Sequence, residues 1–474
     1  MKSKIFVIGL GKSGIGAARL SKNNGDNVTI IEEAKSNKYK ILKESLLHEG
    51  IYVELGQELN ERTFEPWITQ GRIKSIIISP GIPWDHPTLT KLRKSGIDIQ
   101  GEINMAWQAI KEIPWIGITG TNGKTTVTYL LNHILESNSY VAPMGGNMGI
   151  PASQLALALR KKEGERPDIF IMEISSYQIE SSPEINPFIG IWTNFTPDHL
   201  ERHKTIEKYK SIKKSLIERS GVQILNADDP EILNIRESFN NPIWVSSKDS
   251  SHKNNIAKYW INNKGFLIEG GEELFETSIL RIPGEHNIQN LLLATAAARY
   301  LGISAKGIKK SLRNFDGVPH RLEEIGEVND IRIINDSKAT NFEAATSGLK
   351  AIKGTTILLA GGQLKHGNPS SWIREVNQKV YAVILFGAGA KELKIMLKQS
   401  DFPGELICYE NLEEATNSAL QIAKIHKIKS IILSPACSSF DQYENFEDRG
   451  DHFKKLIFNI SSEGIMPNSE IDSK

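Results

Sequence analysis

The segment of the chain with the most specific chemistry is Gly117–Thr126, which reads Gly-Ile-Thr-Gly-Thr-Asn-Gly-Lys-Thr-Thr. An apolar strand pattern precedes it and an amphipathic helical pattern follows it. Backbone amides in such a turn, together with the helix N-terminus, point at phosphate oxygens. Lys124 would reach the β- and γ-phosphates, and the Thr125 hydroxyl would bind Mg²⁺. Ile118 stands at the first glycine of the general phosphate-loop pattern, so the intact part predicts the nucleotide-binding residues Gly120, Thr121, Asn122, Gly123, Lys124, Thr125 and Thr126.

Two polar residues follow apolar strand patterns in the same part of the chain. Glu173 ends the strand predicted at 168–172, and His199 comes after a Pro-Asp turn that follows the strand predicted at 188–192. In open α/β sheets, ligands bind beyond the carboxyl ends of the strands. Each residue alone could be a helix cap or a surface loop residue. Together with the phosphate loop, they are predicted to be Mg²⁺ ligands.

One lysine lies on the wrong side of a predicted helix at 205–220. Lys213 falls within an apolar arc formed by Ile206, Tyr209, Ile212, Leu216 and Ile217. One interpretation is that the stem is buried and the ammonium reaches water. The other is that Lys213 points into a site, where burial lowers its pKa and exposes a nucleophilic amine. Such an amine can capture CO₂ as a carbamate, which is an anionic oxygen ligand for Mg²⁺.

The composition restricts the classes of protein that the chain can be. Its 57 basic and 56 acidic residues leave a formal charge of +1, without the basic excess of a nucleic-acid binder. Two cysteines exclude a disulfide framework and a cysteine zinc site. No apolar run approaches the ~18 residues of a membrane span. The apolar run near the N-terminus is also too short for a signal peptide. We therefore predict a cytoplasmic protein.

The first segment carries a second glycine motif. Gly9–Gly14 matches GxGxxG between the strand predicted at 4–8 and a helix, and Glu32 ends the next predicted strand. Taken literally, this is a dinucleotide-binding fingerprint.

Strand and helix patterns alternate throughout the 474 residues, which predicts an α/β fold with parallel sheets. We expect three domains: a Rossmann-like domain at 1–110, a central P-loop ATPase domain at 111–316 and a second Rossmann-like domain at 317–474. The last domain has strands predicted at 331–334, 356–359, 382–385 and 430–433. The tail after Ile465 is predicted to be disordered.

In sequence order, several motifs resemble those of the Mur ligase superfamily. These are Gly120–Thr125, Glu173 with Ser-Ser-Tyr-Gln178, Asn194 with Asp198-His199, and Gly284–Asn290. Motifs nearer the C-terminus are similar to those of the members that add D-glutamate to UDP-N-acetylmuramoyl-L-alanine: His320-Arg321, Asn335–Asn341, Leu433–Gln442 and Asn445–Gly450.

The resemblance implies an ATP-dependent, ADP-forming ligase of peptidoglycan synthesis that passes through an acyl phosphate. It also implies that the first glycine loop and Glu32 bind the uridine diphosphate part of the substrate and not a dinucleotide. The implied UDP-substrate residues are Gly11, Lys12, Ser13, Glu32, Ser79, Pro80, Gly81, Asn147, Ser175 and Gln178. We expect a monomer.

Family roles are also implied for the nucleotide, the metals and the amino acid. Thr125 and Glu173 would hold one Mg²⁺, and His199 with a carbamylated Lys213 would hold a second; Lys124, His199 and Lys213 are the expected catalytic residues. The further nucleotide residues are Asn287, Asn290, Arg321 and Asp336. The D-glutamate residues are Lys338, Thr340, Lys365, Ser439 and Phe446. Gln363-Leu364 departs from the acidic and small residues that the family often has before this lysine.

Three alternatives stay open. The chain could be a Mur-type ligase for another amino acid, or an enzyme like folylpolyglutamate synthase. It could be a nicotinamide oxidoreductase that uses Gly9–Gly14 and Glu32, although this leaves Lys124 unexplained. It could also be a catalytically silent nucleotide-binding protein. Phosphate release that depends on both the UDP substrate and one amino acid would separate these classes.

Overall fold

The computed structural model describes residues 3–249, 256–282, 284, 286–365 and 367–463. The tail predicted to be disordered lies outside the described residues. The chain divides into two compact units: the first is Met1–Leu280 with Glu285–Phe315, and the second is Arg281–Gly284 with Asp316–Lys474. In the part of the chain that is described, no helix is long and apolar enough to cross a membrane.

The first unit begins with a parallel sheet of five strands in the order β3-β2-β1-β4-β5. Its elements are β1 Lys4–Ile8, α1 Lys12–Asn23, β2 Asn27–Glu32, α2 Asn37–His48, β3 Tyr52–Leu55, α3 Glu61–Ile68, β4 Ile73–Ile78, α4 Pro87–Lys94, β5 Ile99–Gly101 and α5 Glu102–Ile110. The strand order reverses between β1 and β4. Ligands of such sheets bind outside this switch point, where both the Gly9–Gly14 loop and the turn after β4 begin.

The first unit continues with a sheet of nine strands in the order β14-β13-β12-β11-β10-β9-β6-β8-β7. Its elements are β6 Trp115–Thr119, α6 Lys124–Glu136, β7 Met144–Gly146, α7 Ala152–Arg160, β8 Phe170–Glu173, α8 Ser176–Glu180, β9 Ile189–Trp192, α9 Leu200–His203, α10 Ile206–Glu218, β10 Val222–Asn226, α11 Pro230–Leu233, β11 Ile243–Ser246, β12 Ala257–Ile261, β13 Phe266–Glu269, β14 Glu272–Glu276, α12 His286–Tyr300 and α13 Ala305–Arg313. One apolar cluster, with members in α1, α5 and α7, joins the two sheets of this unit.

The second unit contains a sheet of six strands in the order β15-β16-β20-β17-β18-β19. Its elements are β15 Glu323–Val328, β16 Ile331–Asn335, α14 Phe342–Ala351, β17 Thr356–Gly361, α15 Ser370–Lys379, β18 Val380–Phe386, α16 Ala390–Gln399, β19 Glu405–Tyr409, α17 Leu412–His426, β20 Ser430–Leu433 and α18 Phe446–Glu463. Two apolar clusters flank this sheet, as expected when helices cover both faces.

The α/β prediction is confirmed, and the sheets are mostly parallel, with antiparallel pairs at two edges. β13 pairs antiparallel with both β12 and β14, and β15 pairs antiparallel with β16. Edge strands are buried on fewer sides, so they lack the continuous apolar runs that marked the central strands. The sequence of β14, Glu-Glu-Leu-Phe-Glu, illustrates this, since only Phe275 is buried.

Candidate active site

The phosphate loop connects the central strand β6 to α6, and two of its glycines leave no space for a side chain. At Gly120, a Cβ would lie 1.9 Å from the Thr193 hydroxyl. Gly123 has a φ of +81°, which favours glycine, and a Cβ there would lie 2.5 Å from Asn290 Oδ1. The backbone of the loop is therefore packed closely against the polar groups of β9 and α12.

The segment that follows β9 holds the phosphate loop in place. The Thr121 amide donates to the Asn194 carbonyl at 3.0 Å, and the Asn122 amide donates to Asn194 Oδ1 at 2.8 Å. The Thr193 hydroxyl donates to the Asn122 carbonyl at 2.5 Å. Asn194 belonged to a motif in the sequence but was assigned no role. Its position two residues beyond the buried strand β9 was the signal that could have indicated one.

Two lysine ammonium groups meet at one carbonyl oxygen of this loop. Lys124 Nζ donates to the carbonyls of Gly120 at 3.0 Å and Thr121 at 2.8 Å. Lys213 Nζ donates to the same Gly120 carbonyl at 2.7 Å. The predicted catalytic lysines of the phosphate loop and of α10 are thus neighbours.

The structure excludes one of the two interpretations of Lys213. Its side chain is only 1% exposed, so the interpretation in which the ammonium reaches water is wrong. Burial, followed by the charge of Lys124, lowers the pKa of Lys213 well below its ordinary value, while Asp198 and Glu173 act in the opposite direction. Ile206, predicted to share its apolar arc, is exposed because it lies in the first turn of α10.

Glu173 has the properties of a metal ligand. It ends β8, which pairs with β6, so its carboxylate lies beside the start of the phosphate loop. Its Oε1 accepts a hydrogen bond of 2.8 Å from Asn147, whereas its Oε2 is buried and has no hydrogen-bond partner. A buried carboxylate oxygen without a partner is costly unless a cation or a donor neutralises it. Oxygen ligands of this kind fit Mg²⁺, with the Thr125 hydroxyl as the second predicted ligand.

Within the described residues, no group of three or more His, Cys, Asp and Glu side chains could hold a metal ion by itself. Mg²⁺ usually keeps several waters and binds through one or two carboxylates plus substrate phosphates. The donor set at Glu173 therefore fits a metal that arrives with a nucleotide, rather than a closed protein site.

His199 is exposed in the segment that connects β9 to α9. It precedes α9 with a φ of +53°, and its Nε2 is 3.5 Å from Asp198 Oδ2. Its ring packs against Tyr177 at 5.1 Å between ring centroids. The chain turns sharply at this residue, so the imidazole remains accessible while its aromatic neighbours are more buried.

The predicted UDP-substrate residues of the first sheet surround its switch point. Glu32 accepts hydrogen bonds from the amides of Leu10 at 2.8 Å and Ala34 at 3.0 Å, so its carboxylate orders the glycine loop. The Ser79 hydroxyl lies 3.5 Å from the Gly9 carbonyl. Gly11, Lys12 and Ser13 lie at the start of α1, and Pro80 and Gly81 follow β4.

The remaining predicted UDP-substrate residues lie in the segments that follow β7 and β8 of the second sheet. Asn147 donates both its backbone amide and its side chain to Glu173, each at 2.8 Å. The structure therefore joins a predicted substrate residue to a predicted metal ligand. Ser175 and Gln178 form a capping box at the start of α8, which uses much of their hydrogen-bonding capacity for local structure.

The further nucleotide residues are divided between the two units. In the first unit, Asn287 and Asn290 are buried on α12, where Asn290 Nδ2 donates to Asn287 Oδ1 at 3.0 Å and Asn290 adjoins Gly123. In the second unit, Asp336 is buried and accepts from the Ser434 hydroxyl at 2.8 Å and the Leu322 amide at 3.2 Å. Arg321 lies in the second unit near Asp336, whose pKa its charge lowers.

The buried carboxyl group of Asp336 should make the free energy of unfolding depend on pH. Burial raises its pKa to about 7, against the effect of the Ser434 hydrogen bond and the Arg321 charge. Since the folded pKa lies above the unfolded one, the folded state binds more protons between pH ~4 and ~7. We expect the free energy of unfolding to fall by roughly a few kcal/mol as the pH rises through this window. Urea unfolding at several pH values should show that the free energy of unfolding changes less with pH in Asp336→Asn than in the wild type. An identical change in both proteins would contradict a raised pKa for Asp336.

The predicted D-glutamate residues follow strands β16, β17 and β20 of the second unit. Lys338 Nζ lies 5.5 Å from the centre of the Phe446 ring, and the Thr340 amide donates to the Lys338 carbonyl at 2.8 Å. Ser439 is buried. Lys365 follows Gln363 closely in sequence; Gln363 pairs through its backbone with Ser438, next to Ser439.

Arg449 is the residue that sequence reasoning missed in this unit. Its guanidinium is fully buried and donates to the carbonyls of Ser337, Gly361, Cys437 and Ser438, and to the Ser337 hydroxyl. It thus joins the ends of β16, β17 and β20. An arginine inside the Asn445–Gly450 motif was visible in the sequence, but the separate loops that it joins were not.

A phosphate loop, a carboxylate with a free oxygen and a buried lysine meet at one sheet edge, next to a doubly wound domain. This arrangement defines the class of P-loop enzymes that act on nucleoside triphosphates. Three family models match: the MurD-like N-terminal domain of Mur ligases at residues 3–101, the Mur ligase middle domain at 118–298, and the Mur ligase glutamate ligase domain at 320–437. The chain belongs to the Mur ligase family.

Its curated relatives match along nearly their whole length. The UDP-N-acetylmuramoylalanine–D-glutamate ligase of Prochlorococcus marinus (strain MIT 9313) is 51% identical over 96% of this chain and 98% of its own. That of Synechococcus sp. (strain CC9605) is 48% identical over 96% and 98%. These matches favour a ligase over the nicotinamide oxidoreductase considered above.

Solved structures show the same fold at low sequence identity. The UDP-N-acetylmuramate–alanine ligase of Thermotoga maritima superposes with a TM-score of 0.61 at 17% identity, covering 96% of this chain and 99% of that one. A pseudomurein peptide ligase type C from Methanothermus fervidus gives a TM-score of 0.57 at 21% identity, covering 97% and 100%.

Proposed function

We propose that this chain is the cytoplasmic, ADP-forming ligase that joins D-glutamate to UDP-N-acetylmuramoyl-L-alanine during peptidoglycan precursor synthesis, and that it acts as a monomer. The observation that carries the proposal is the 51% identity over 96% of the chain to a ligase named for this reaction. The phosphate loop with Lys124, Glu173 and Lys213 supports the ATP-dependent chemistry.

The division of labour follows the three sheets. Residues 1–110 bind the UDP part of the substrate, residues 111–316 bind ATP, and residues 317–474 bind the incoming amino acid. The switch point of the first sheet and the residues at the ends of β16, β17 and β20 support the two outer assignments. Lys338, Lys365 and Arg321 supply the positive charge that a dicarboxylate or a nucleotide needs.

In the first step, the substrate carboxylate attacks the γ-phosphorus, ADP leaves and an acyl phosphate forms. The amides of the phosphate loop and the Lys124 ammonium bind the phosphate oxygens and neutralise the charge that spreads over them. Mg²⁺ supplies further charge neutralisation when it is bound. Thr125 and Glu173 would hold one ion, and His199 with Lys213 would hold a second.

In the second step, the free amine of D-glutamate attacks the acyl carbon, the bond from that carbon to the phosphate oxygen breaks, and the leaving phosphate takes the proton that the amine loses. An acyl phosphate hydrolyses in water, so the groups around it must exclude solvent. Asn147 helps to arrange the groups around the reacting carboxyl. It is one of the predicted UDP-substrate residues, and it holds Glu173 through two hydrogen bonds. Binding of the substrate is thereby linked to the position of a metal ligand.

Lys213 is proposed to act as a carbamate. Its lowered pKa leaves a larger fraction of neutral amine, which attacks CO₂ and releases a proton. The product is an anion in place of a cation, so it removes the repulsion between Lys213 and Lys124. Asp198 and Glu173 lie close enough to act on the charge of Lys213.

The decisive experiment is a phosphate-release assay with purified protein, ATP, Mg²⁺, UDP-N-acetylmuramoyl-L-alanine and a panel of D- and L-amino acids. We expect phosphate and ADP only when both the UDP substrate and D-glutamate are present. Release with a different amino acid would indicate another Mur-type ligase. No release with any member of the panel would contradict the proposal.

The close contact at Gly123 gives a second test of the nucleotide site. In Gly123→Ala, the methyl group would meet Asn290 Oδ1 at 2.5 Å and the backbone would keep a φ of +81°. We expect the KM for ATP to rise about tenfold or more, which corresponds to the ~1–2 kcal/mol cost of this backbone conformation. The KM for the UDP substrate should not change.

Gly302→Ala is the matched control for Gly123→Ala. Gly302 also has a positive φ, +87°, but nothing lies within 4 Å of its Cβ position. The control should lose stability without a change in the KM for ATP. Equal KM values for ATP in Gly123→Ala and in the wild type would show that Gly123 is not part of the nucleotide site.

A further inference from the structure

Four side chains with aromatic rings, which we call the ring cluster, lie beneath the loop that carries His199: Tyr177, His199, His203 and Tyr209. The Tyr177 ring centre is 5.1 Å from that of His199 and 5.3 Å from that of His203. The Tyr209 ring centre is 6.3 Å from that of His199 and 5.3 Å from that of His203. Each tyrosine therefore contacts both histidines, so the four rings form a closed cycle of contacts.

His203 is fully buried, as Tyr209 is, and it has no role in the proposed reaction. Its Nε2 is 2.9 Å from the Ser176 hydroxyl, at the start of α8, whereas its buried Nδ1 has no hydrogen-bond partner. An apolar ring would occupy the same space without an unsatisfied nitrogen. Stability alone therefore does not account for a histidine at this position.

Tyr209 connects His203 to three parts of the candidate active site. Its ring stacks on His203 with an interplanar angle of 23°. Its hydroxyl is 3.3 Å from the Thr121 hydroxyl in the phosphate loop, and Lys213 Nζ lies 4.6 Å from its ring centre. A displacement of the His203 ring would thus be transmitted to Lys213 and the phosphate loop through Tyr209, and to His199 through both tyrosines.

We propose that His203 is a positioning residue for the metal site: its ring, tethered to Ser176, separates Tyr177 from Tyr209 and so orients His199 and Lys213. The inference rests on the proposed function, because it assigns a purpose to the orientation of these two residues. Partners of metal ligands commonly change metal affinity or activity by 10–100-fold when they are lost.

The test compares His203→Leu, which removes the ring, with His203→Phe, which keeps it. Binding of Mn²⁺ in the presence of ADP is followed by the electron paramagnetic resonance signal of free Mn²⁺. We expect His203→Leu to bind Mn²⁺ about tenfold more weakly and to need a correspondingly higher Mg²⁺ concentration for half-maximal activity. His203→Phe keeps the ring but loses the Nε2 tether, so its Mn²⁺ affinity should lie between those of His203→Leu and the wild type, as in Ser176→Ala. The KM for the UDP substrate should not change in either variant.

His133→Leu is the matched control. His133 Nε2 lies 2.9 Å from the Ser311 carbonyl, and its ring packs against Phe315 at 5.3 Å, so the variant also loses a hydrogen bond and a ring contact in the same unit. It should bind Mn²⁺ as the wild type does. Wild-type Mn²⁺ affinity in folded His203→Leu would overturn the proposal, and so would a loss of the same size in His133→Leu.

Ser176→Ala provides the test if His203→Leu does not fold. It removes the tether at Nε2 while the ring remains, and we expect Mn²⁺ affinity to fall several-fold; unchanged affinity would overturn the proposal. Failure of the proposed function is distinguishable, since it would appear as a lack of phosphate release by the wild-type protein. The Mn²⁺ measurement does not depend on the identity of the UDP substrate or the amino acid.

Discussion

Replacement of Lys124 by alanine should abolish ADP formation while the UDP substrate still binds. Lys124 is the cation of the phosphate loop, and its ammonium lies 2.8–3.0 Å from two loop carbonyls at the end of β6. Loss of a group that stabilises charge in the transition state costs about 10²–10³-fold in kcat, and we expect at least this loss. ADP release would be followed by a coupled assay, and binding of UDP-N-acetylmuramoyl-L-alanine by calorimetry.

The control for this variant is Lys310→Ala, which removes an exposed lysine from α13 in the same unit. It changes the net charge equally and should retain wild-type turnover. An active Lys124→Ala enzyme would show that the loop does not bind the transferred phosphate. Loss of UDP-substrate binding together with activity would instead indicate a general structural defect.

Replacement of Lys213 by alanine should also remove activity, and short carboxylates such as acetate or formate should restore part of it. The side chain is buried next to Lys124 and Glu173, where a carboxylate can take the place of the carbamate oxygens. We expect a loss of about 10²-fold or more, in line with the loss of an ordered metal partner. Turnover would be measured against acetate concentration at fixed ionic strength. A fully active Lys213→Ala enzyme would contradict the assignment.

Two comparisons make the Lys213 test specific. Lys214→Ala alters the adjacent residue, which pairs with Glu218 at 2.7 Å on the same helix, and it should keep nearly full activity. Lys124→Ala should not respond to acetate, because the missing group there is a cation. Carbon-13 NMR of wild-type protein in labelled bicarbonate should show a carbamate resonance that Lys213→Ala lacks.

The central part of the fold was predictable because buried parallel strands have a direct pattern in the sequence. β1, β6 and β20 each consist almost entirely of an apolar run with one polar residue at an end. The hairpin strands β13 and β14 were not predicted. Their residues are partly exposed at an edge, where alternation is weak and pairing depends on contacts with β12.

Residues of the candidate site were predictable where their type and their neighbours in sequence together point to one chemical role. Lys124 follows a glycine turn, Glu173 ends a buried strand, and Lys213 breaks an apolar arc, so each is recognisable from its immediate neighbours. Asn194 and Arg449 were missed because an asparagine or an arginine is compatible with many environments. Only their hydrogen bonds to other segments reveal that they hold the loops together.

The sequence by itself determined the phosphate loop, the order of the α/β elements and the motifs that place the chain among the Mur ligases. These are local patterns, set by neighbours in the chain and by helical or strand periodicity. Only the tertiary structure decided that Lys213 is sealed from water and meets Lys124 at a single carbonyl oxygen, that Asn147 holds Glu173, and that His203 completes the ring cluster. Such contacts join residues that are distant in sequence, and they depend on how strands and helices pack together.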